Sequence, residues 1–139
     1  GATGLIGPTG ATGQTGPTGP NAIQLFYNST ANLTANNFIG QSNTSATEAF
    51  TQYIFDRAVT VTSIYVKLNV APGGVTTRTF TVRKNGVATT LVDTISTTAT
   101  TGSLLSNVAF AQFDSISIQA TVSGAPAASA AQITLVYTF

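Results

Sequence analysis

The charged chemistry of this 139-residue chain rests on four carboxylates, Glu48, Asp56, Asp93 and Asp114, and five cations, Arg57, Lys67, Arg78, Arg83 and Lys84. There is no His, Cys, Met or Trp. An imidazole base, a thiolate nucleophile, a disulfide and a zinc site with nitrogen or sulfur ligands are therefore excluded. Acid–base catalysis needs two groups of separated pKa converging on one substrate. Glu48 and Asp56 are eight positions apart and, in an extended segment at ~3.3 Å per residue, stand roughly 25 Å from each other. Serine nucleophiles lack their usual base, so no enzyme and no catalytic residue is expected. Calcium needs only oxygens, and a threefold axis could gather one carboxylate from each of three chains. Asp114 and Asp56 are the residues for that chemistry. The plainer roles are a strand-starting cap for Asp114 and pairing with Arg57, or solvation, for Asp56. On that balance no metal and no cofactor is expected.

Only 6% of residues are charged, against about 25% in an ordinary soluble domain. The exterior must be covered by neutral polar groups, chiefly the 26 threonines. The net charge is +1 and the longest basic run is Arg83-Lys84, which gives nucleic acid and anionic membranes no foothold. Apolar runs are short and broken by Thr and Ser, so a transmembrane helix of about 20 residues is not expected. The chain begins at Gly1 rather than Met, as expected of a fragment whose targeting segment has been left out.

The elements that must position these residues fall into two parts. Seven of the 13 glycines stand at positions 1, 4, 7, 10, 13, 16 and 19. Period-three glycine is the collagen pattern, in which every third residue faces an axis too crowded for a side chain. Pro8, Pro17 and Pro20 occupy middle slots, and Thr3, Thr9, Thr12, Thr15 and Thr18 occupy third slots. One such strand buries nothing by itself, so the repeat implies a homotrimer. Residues 1–21 are read as a collagen-like stalk and 22–139 as a separate domain.

After Asn21 the composition turns to Val, Ile, Thr, Phe and Tyr, and the apolar period becomes two. Ala58–Val70, Phe113–Val122 and Gln132–Phe139 read as strands. Shorter ones are expected over Ala22–Tyr27, Asn37–Gly40, Ala49–Phe55 and Ser103–Phe110. Lys84-Asn85-Gly86-Val87 has the signature of a type I′ hairpin turn. Pairing Lys84 with Val87 sets Val82 opposite Thr89, Phe80 opposite Leu91 and Arg78 opposite Asp93, the last as an exposed ion pair worth ~0–1 kcal/mol. Loops are expected at Pro72-Gly73-Gly74 and over Ala125–Ala131, where Pro126 opposes a helix. The expected fold is all-β, a trimeric jelly-roll sandwich behind a collagen-like triple-helix segment.

The Gly7-Pro8-Thr9 and Gly16-Pro17-Thr18 triplets resemble the BclA-type collagen-like glycoproteins of the bacterial spore exosporium. In that family such repeats lead into a trimeric jelly-roll head similar to tumour necrosis factor and complement-type domains. Arg83-Lys84-Asn85-Gly86, the Phe113-to-Ile118 strand and an aromatic-ended last strand look like features of such heads. The resemblance implies a location outside the cell, on a spore surface or appendage tip, and O-glycans on the third-slot threonines Thr3, Thr9, Thr12, Thr15 and Thr18. The matches Asn28-Ser29-Thr30, Asn32-Leu33-Thr34 and Asn43-Thr44-Ser45 fit the N-glycosylation pattern but arise readily in so Thr-rich a chain.

Two function classes follow. In the first, the protein is a structural filament whose head trimerises, sets the register of the stalk, nucleates it and is displayed at its tip. Tyr27, Tyr137 and Phe139, on the first and last strands, are the residues for the trimer interface, with a place in the sandwich core as their alternative. In the second, the head is an adhesin or phage tail-tip module that binds a surface glycan or host receptor, with Tyr53 and Tyr65 stacking on sugars.

Overall fold

Alternating apolar and polar residues carry the chain through ten strands in the computed structural model, which describes residues 1–5, 10, 22–29, 32–33 and 36–139. These are β1 (Ala22–Asn28), β2 (Asn37–Ile39), β3 (Thr44–Ser45), β4 (Tyr53–Ile54), β5 (Val59–Leu68), β6 (Thr77–Lys84), β7 (Val87–Ser96), β8 (Thr101–Phe110), β9 (Ser115–Ser123) and β10 (Ala131–Thr138). One sheet has the order β1-β10-β5-β8. The other runs β3-β2-β9-β6-β7, with β4 also paired to β9. All pairings are antiparallel. From β4 onward the chain changes sheet at every step except the β6–β7 hairpin. That connectivity is consistent with a jelly-roll-like sandwich. Among the described part of the Gly-X-Y segment, Gly1–Leu5 and Gly10 are exposed and outside any strand; its other residues lie outside the described set.

The inner faces are those the alternation predicts. Ile64, Val66 and Leu68 of β5, Phe80 and Val82 of β6, Ile116 and Ile118 of β9, and Ile133 and Leu135 of β10 fill the core. Val70, expected to continue the β5 face, lies beyond the strand end and is exposed. Ala49–Phe55 is not one strand. Thr51 donates both its N–H and its hydroxyl to the Glu48 carbonyl at 2.9 Å, and this closes a 3₁₀ turn at Glu48–Phe50. Only Tyr53–Ile54 then pairs with β9.

The hairpin turn forms as read, with positive φ at Asn85 (49°) and Gly86 (78°). The register beyond it is corrected. Arg83 faces Ala88, but Thr81 faces Val92, so Val82 alone on β6 stands against Thr89, Thr90 and Leu91 on β7. Thr89 holds this bulge, its hydroxyl donating to the Val82 carbonyl at 2.7 Å and accepting from the Leu91 N–H at 3.2 Å. Asp93 consequently faces Phe80, and Arg78 faces Ile95. The expected exposed Arg78–Asp93 ion pair does not exist; both side chains are buried and they are not bonded to each other.

Antiparallel registers also assign the two ends of the sandwich. At the entry end Ala22 pairs with Thr138, Val59 with Phe110 and Lys84 with Ile116. At the far end Asn28 pairs with Gln132, Lys67 with Thr101 and Thr77 with both Ser96 and Ser123. Ala22, the first residue of β1, therefore lies beside the end of the last strand.

Candidate functional site

The two outer faces differ in chemistry. On the six-stranded sheet, Arg83 of β6 donates from Nε to Glu48 Oε1 at 2.8 Å and from Nη1 to Gln119 at 3.1 Å, while its Nη2 donates to the Gly86 carbonyl. Ser117 donates to the same Glu48 oxygen at 2.6 Å, and Phe38 lies 5.7 Å from the guanidinium. Burial opposes ionisation of Glu48, but the hydrogen bonds from Arg83 and Ser117 and the Arg83 charge outweigh it and hold the carboxyl below its usual range. Beside this network Thr79 and Thr94 share a 2.9 Å hydroxyl bond across the sheet. On this face Arg83, Glu48, Ser117 and Gln119 are bonded to one another, and Thr79 to Thr94.

The four-stranded sheet is nearly charge-free. Its strands hold one charged side chain, Lys67. Pairing lines up Phe26, Thr134, Tyr65 and Ser103 in one outer row, and Gln24, Val136, Ser63 and Leu105 in the next. Phe26, Tyr65 and Leu105 expose 60%, 47% and 78% of their surfaces. A neutral, pleated face carrying three large exposed apolar groups is the kind of surface that a second protein surface covers. The apolar runs Leu25-Phe26-Tyr27 and Leu104-Leu105 carry this signal, because alternation must send one member of each run outward.

A cleft of about 260 Å³ opens at the entry end, lined by Ile23, Tyr53, Phe55, Asp56, Arg57, Val59, Tyr137 and Phe139. Phe55 is its floor, with edge-on contacts to Tyr53 and Tyr137 at 5.6 Å and to Phe110 at 5.1 Å. Arg57 lies 5.1 Å from the Phe139 ring and donates to both oxygens of Asp56 at 3.2 Å. That hydrogen bond keeps Asp56 below, and Arg57 above, their ordinary pKa values. Burial raises the Tyr137 hydroxyl, helped by Tyr53 and Asp56.

Of the interface residues taken from the sequence, Tyr27 points into the core and is 1% exposed, with its pKa raised by burial. Tyr137 is partly buried in the cleft and Phe139 is half-exposed beside it. Tyr53 belongs to the cleft, Tyr65 to the outer face. Thr3 is exposed; Thr9, Thr12, Thr15 and Thr18 lie outside the described residues. Glu48 and Asp56 do not converge, since each is bonded to a different arginine.

Asp114 ties two turns together. It accepts from Asn85 Nδ2 and from the Ala111 N–H, both at 2.7 Å, and pairs with Lys84 at 3.1 Å. Asn85 in turn accepts from the Ser115 N–H at 2.8 Å. Among the described residues no three acids gather into a metal cage. The hydrogen bonds from Asn85 and Ala111, then Lys84, pull the Asp114 pKa down to about 2. A carboxyl lowered in the folded state stabilises fully above its unfolded pKa of about 4 and loses that contribution as pH falls through the folded value. The melting temperature is expected to drop between about pH 5 and pH 2, and to drop less in Asp114→Asn; thermal melts across that range check both.

Compared with known proteins, the chain matches no family model and no curated protein at a significant level.

Proposed function

We propose that the chain is a structural surface-filament protein. Residues 22–139 form a head that trimerises, sets strand register and nucleates the collagen-like stalk of residues 1–21, at whose tip the head is displayed. The location proposed from the resemblance is extracellular, on a bacterial spore surface or appendage tip. One observation carries the reading: the Gly-X-Y repeat runs directly into β1 of the four-stranded sheet, whose face bears a single charge and exposed Phe26, Tyr65 and Leu105. Three strands in collagen register bring three copies of Ala22 close together. The strand that begins there belongs to the sheet with the surface best suited to a neighbour. Nucleating a triple helix costs chain entropy, and a trimeric head offsets it by holding the strands at high local concentration.

The far end bears on the competing adhesin reading. Its loops, residues 69–76, 97–100 and 124–130, contain Gly, Pro, Ala, Val, Thr, Ser and Asn but no charged or aromatic residue. Sugar recognition by stacking and charge-assisted hydrogen bonds has little to use there. No described helix is long and apolar enough to cross a membrane.

Sedimentation of the full chain is expected to give a trimer, with a triple-helix band in circular dichroism that melts cooperatively. Deleting residues 22–139 is expected to abolish that band. A monomeric full chain with no triple-helix signal overturns the reading.

A further inference from the structure

We infer that the entry-end cleft is a binding site for a neutral pyranose ring, one sugar unit of a glycan, held by packing on Tyr53 and Phe139 and by hydrogen bonds between its hydroxyls and the Arg57–Asp56 pair. This goes beyond the structural reading and does not rest on it.

Place and size come first. Ile23 lies on the same side of β1 as buried Leu25 and Tyr27, so the cleft opens between the two sheets and not on the outer face that carries Phe26 and Tyr65. Around it Ile23, Tyr53 and Phe139 expose 36%, 38% and 51% of their surfaces. They come from three separate segments: β1, β4 and the chain end. Large apolar groups from distant segments that ring one concavity release water when a ligand covers them. The volume of about 260 Å³ falls just below the ~300–1,000 Å³ of sites that take drug-sized ligands. It suits one ring and is too small for a folded peptide.

Chemistry comes second. An aromatic lining alone accepts any apolar ring, and the polar rim makes the selection. Arg57 commits Nε and Nη2 to the two oxygens of Asp56, both at 3.2 Å. Its Nη1 keeps two N–H groups for another acceptor, and each carboxylate oxygen keeps a lone pair for another donor. The pair thus sets donors beside acceptors, which complements two neighbouring sugar hydroxyls, since each hydroxyl both donates and accepts. Its two charges cancel at close range, so a phosphate or a carboxylate gains little there. The C–H-bearing face of a pyranose is apolar and matches the exposed ring of Tyr53, which is braced edge-on by buried Phe55 at 5.6 Å. Arg57 also lies 5.1 Å from the Phe139 ring, so its planar fork is ordered before a ligand arrives. The hydroxyls of Tyr53 and Tyr137 add donors to the same lining.

The test uses the full chain, labelled at its aromatic rings for nuclear magnetic resonance and titrated with the methyl glycosides of glucose, galactose, mannose and N-acetylglucosamine. Adenosine and inorganic phosphate are titrated separately. At least one glycoside is expected to move the Tyr53 and Phe139 ring signals saturably, in the millimolar range, while the Tyr65 signals stay in place. Arg57→Ala is expected to weaken that binding about tenfold or more. Arg57→Lys is expected to weaken it as much, because an ammonium lacks the planar fork. Arg57 is well exposed, so the head remains folded in both variants, as an unchanged melting temperature verifies. No saturable response to any glycoside, an Arg57→Lys variant that binds as well as the parent, or a response centred on Tyr65 overturns the proposal. So does tighter binding of adenosine or of phosphate, which assigns the cleft to a nucleobase or to an anion. Sedimentation of the same sample reports the assembly separately: saturable glycoside binding by a monomer retains the site and removes the filament reading, whereas a trimer without any response removes the site alone.

Discussion

Combining Tyr65→Glu with Leu105→Glu is expected to turn trimers into monomers and to abolish the triple-helix signal of the stalk. Both side chains are exposed in the single chain and stand on the outer face of the four-stranded sheet, so each subunit should still fold. If three such faces meet, the variant buries carboxylates against a surface whose one cation is Lys67. An uncompensated buried charge costs about 3–5 kcal/mol, and each 1.4 kcal/mol is about tenfold in association. A loss of at least ~100-fold in trimer stability follows, read by sedimentation equilibrium over a dilution series. Thr94→Glu is the control. It lies on the opposite, hydroxyl-laced face beside Thr79, and trimers should survive it. Trimers that withstand the double substitution but not the control would move the interface to the other sheet.

That experiment depends on a face only partly visible in the sequence. Alternation in Ala58–Val70 and Gln132–Phe139 identified which residues of β5 and β10 point inward, because one buried side imposes period two on each strand. It could not locate the irregularities. Thr62 is passed over by both neighbouring strands, and its hydroxyl donates to the Val136 carbonyl at 3.2 Å, where β10 also slips. A threonine in a Thr-rich strand gives no sign that its hydroxyl will replace a ladder bond. Thr89 does the same in β7, and its bulge shifts the register by an even number of residues, so every side chain stays on its predicted face. The hydrophobic pattern was therefore satisfied by a pairing that the structure corrects. Exposed Leu105 and Phe26 escaped for a related reason: each sits in an apolar run that reads as core until strand pairing shows which member faces out.

The second large effect is the expected unfolding of the far end by Arg78→Ala. Arg78 is 1% exposed, and its Nη2 donates to the Leu33 carbonyl and, at 2.9 Å, to the Ala127 carbonyl. One side chain thereby fastens the segment after β1 and the loop before β10 to β6. Its Nε and Nη1 have no partner among the described residues, and burial lowers its pKa. Truncation to Ala opens a cavity and strands two carbonyls; losses of this kind cost about 3–5 kcal/mol. At ~4–8 °C per kcal/mol for a domain near this size, melting falls by more than about 10 °C. Arg78→Met fills most of the cavity and removes the buried charge but strands the same two carbonyls, so it should cost less than Ala while still destabilising.

Asp93 provides the opposite sign. Its Oδ2 is buried and without a partner among the described residues, in space left open by Gly102, where a Cβ would collide with the carboxylate. Desolvation raises its pKa, so its stabilising, protonated form is complete below about pH 4 and is lost as pH rises through the folded value. Asp93→Asn removes the charge at the same volume and is expected to raise the melting temperature at neutral pH while changing it little below about pH 4. Differential scanning calorimetry at both pH values decides the point. If Arg78 and Asp93 support each other as a pair, both substitutions will destabilise at neutral pH; if the register isolates them, only the arginine change will.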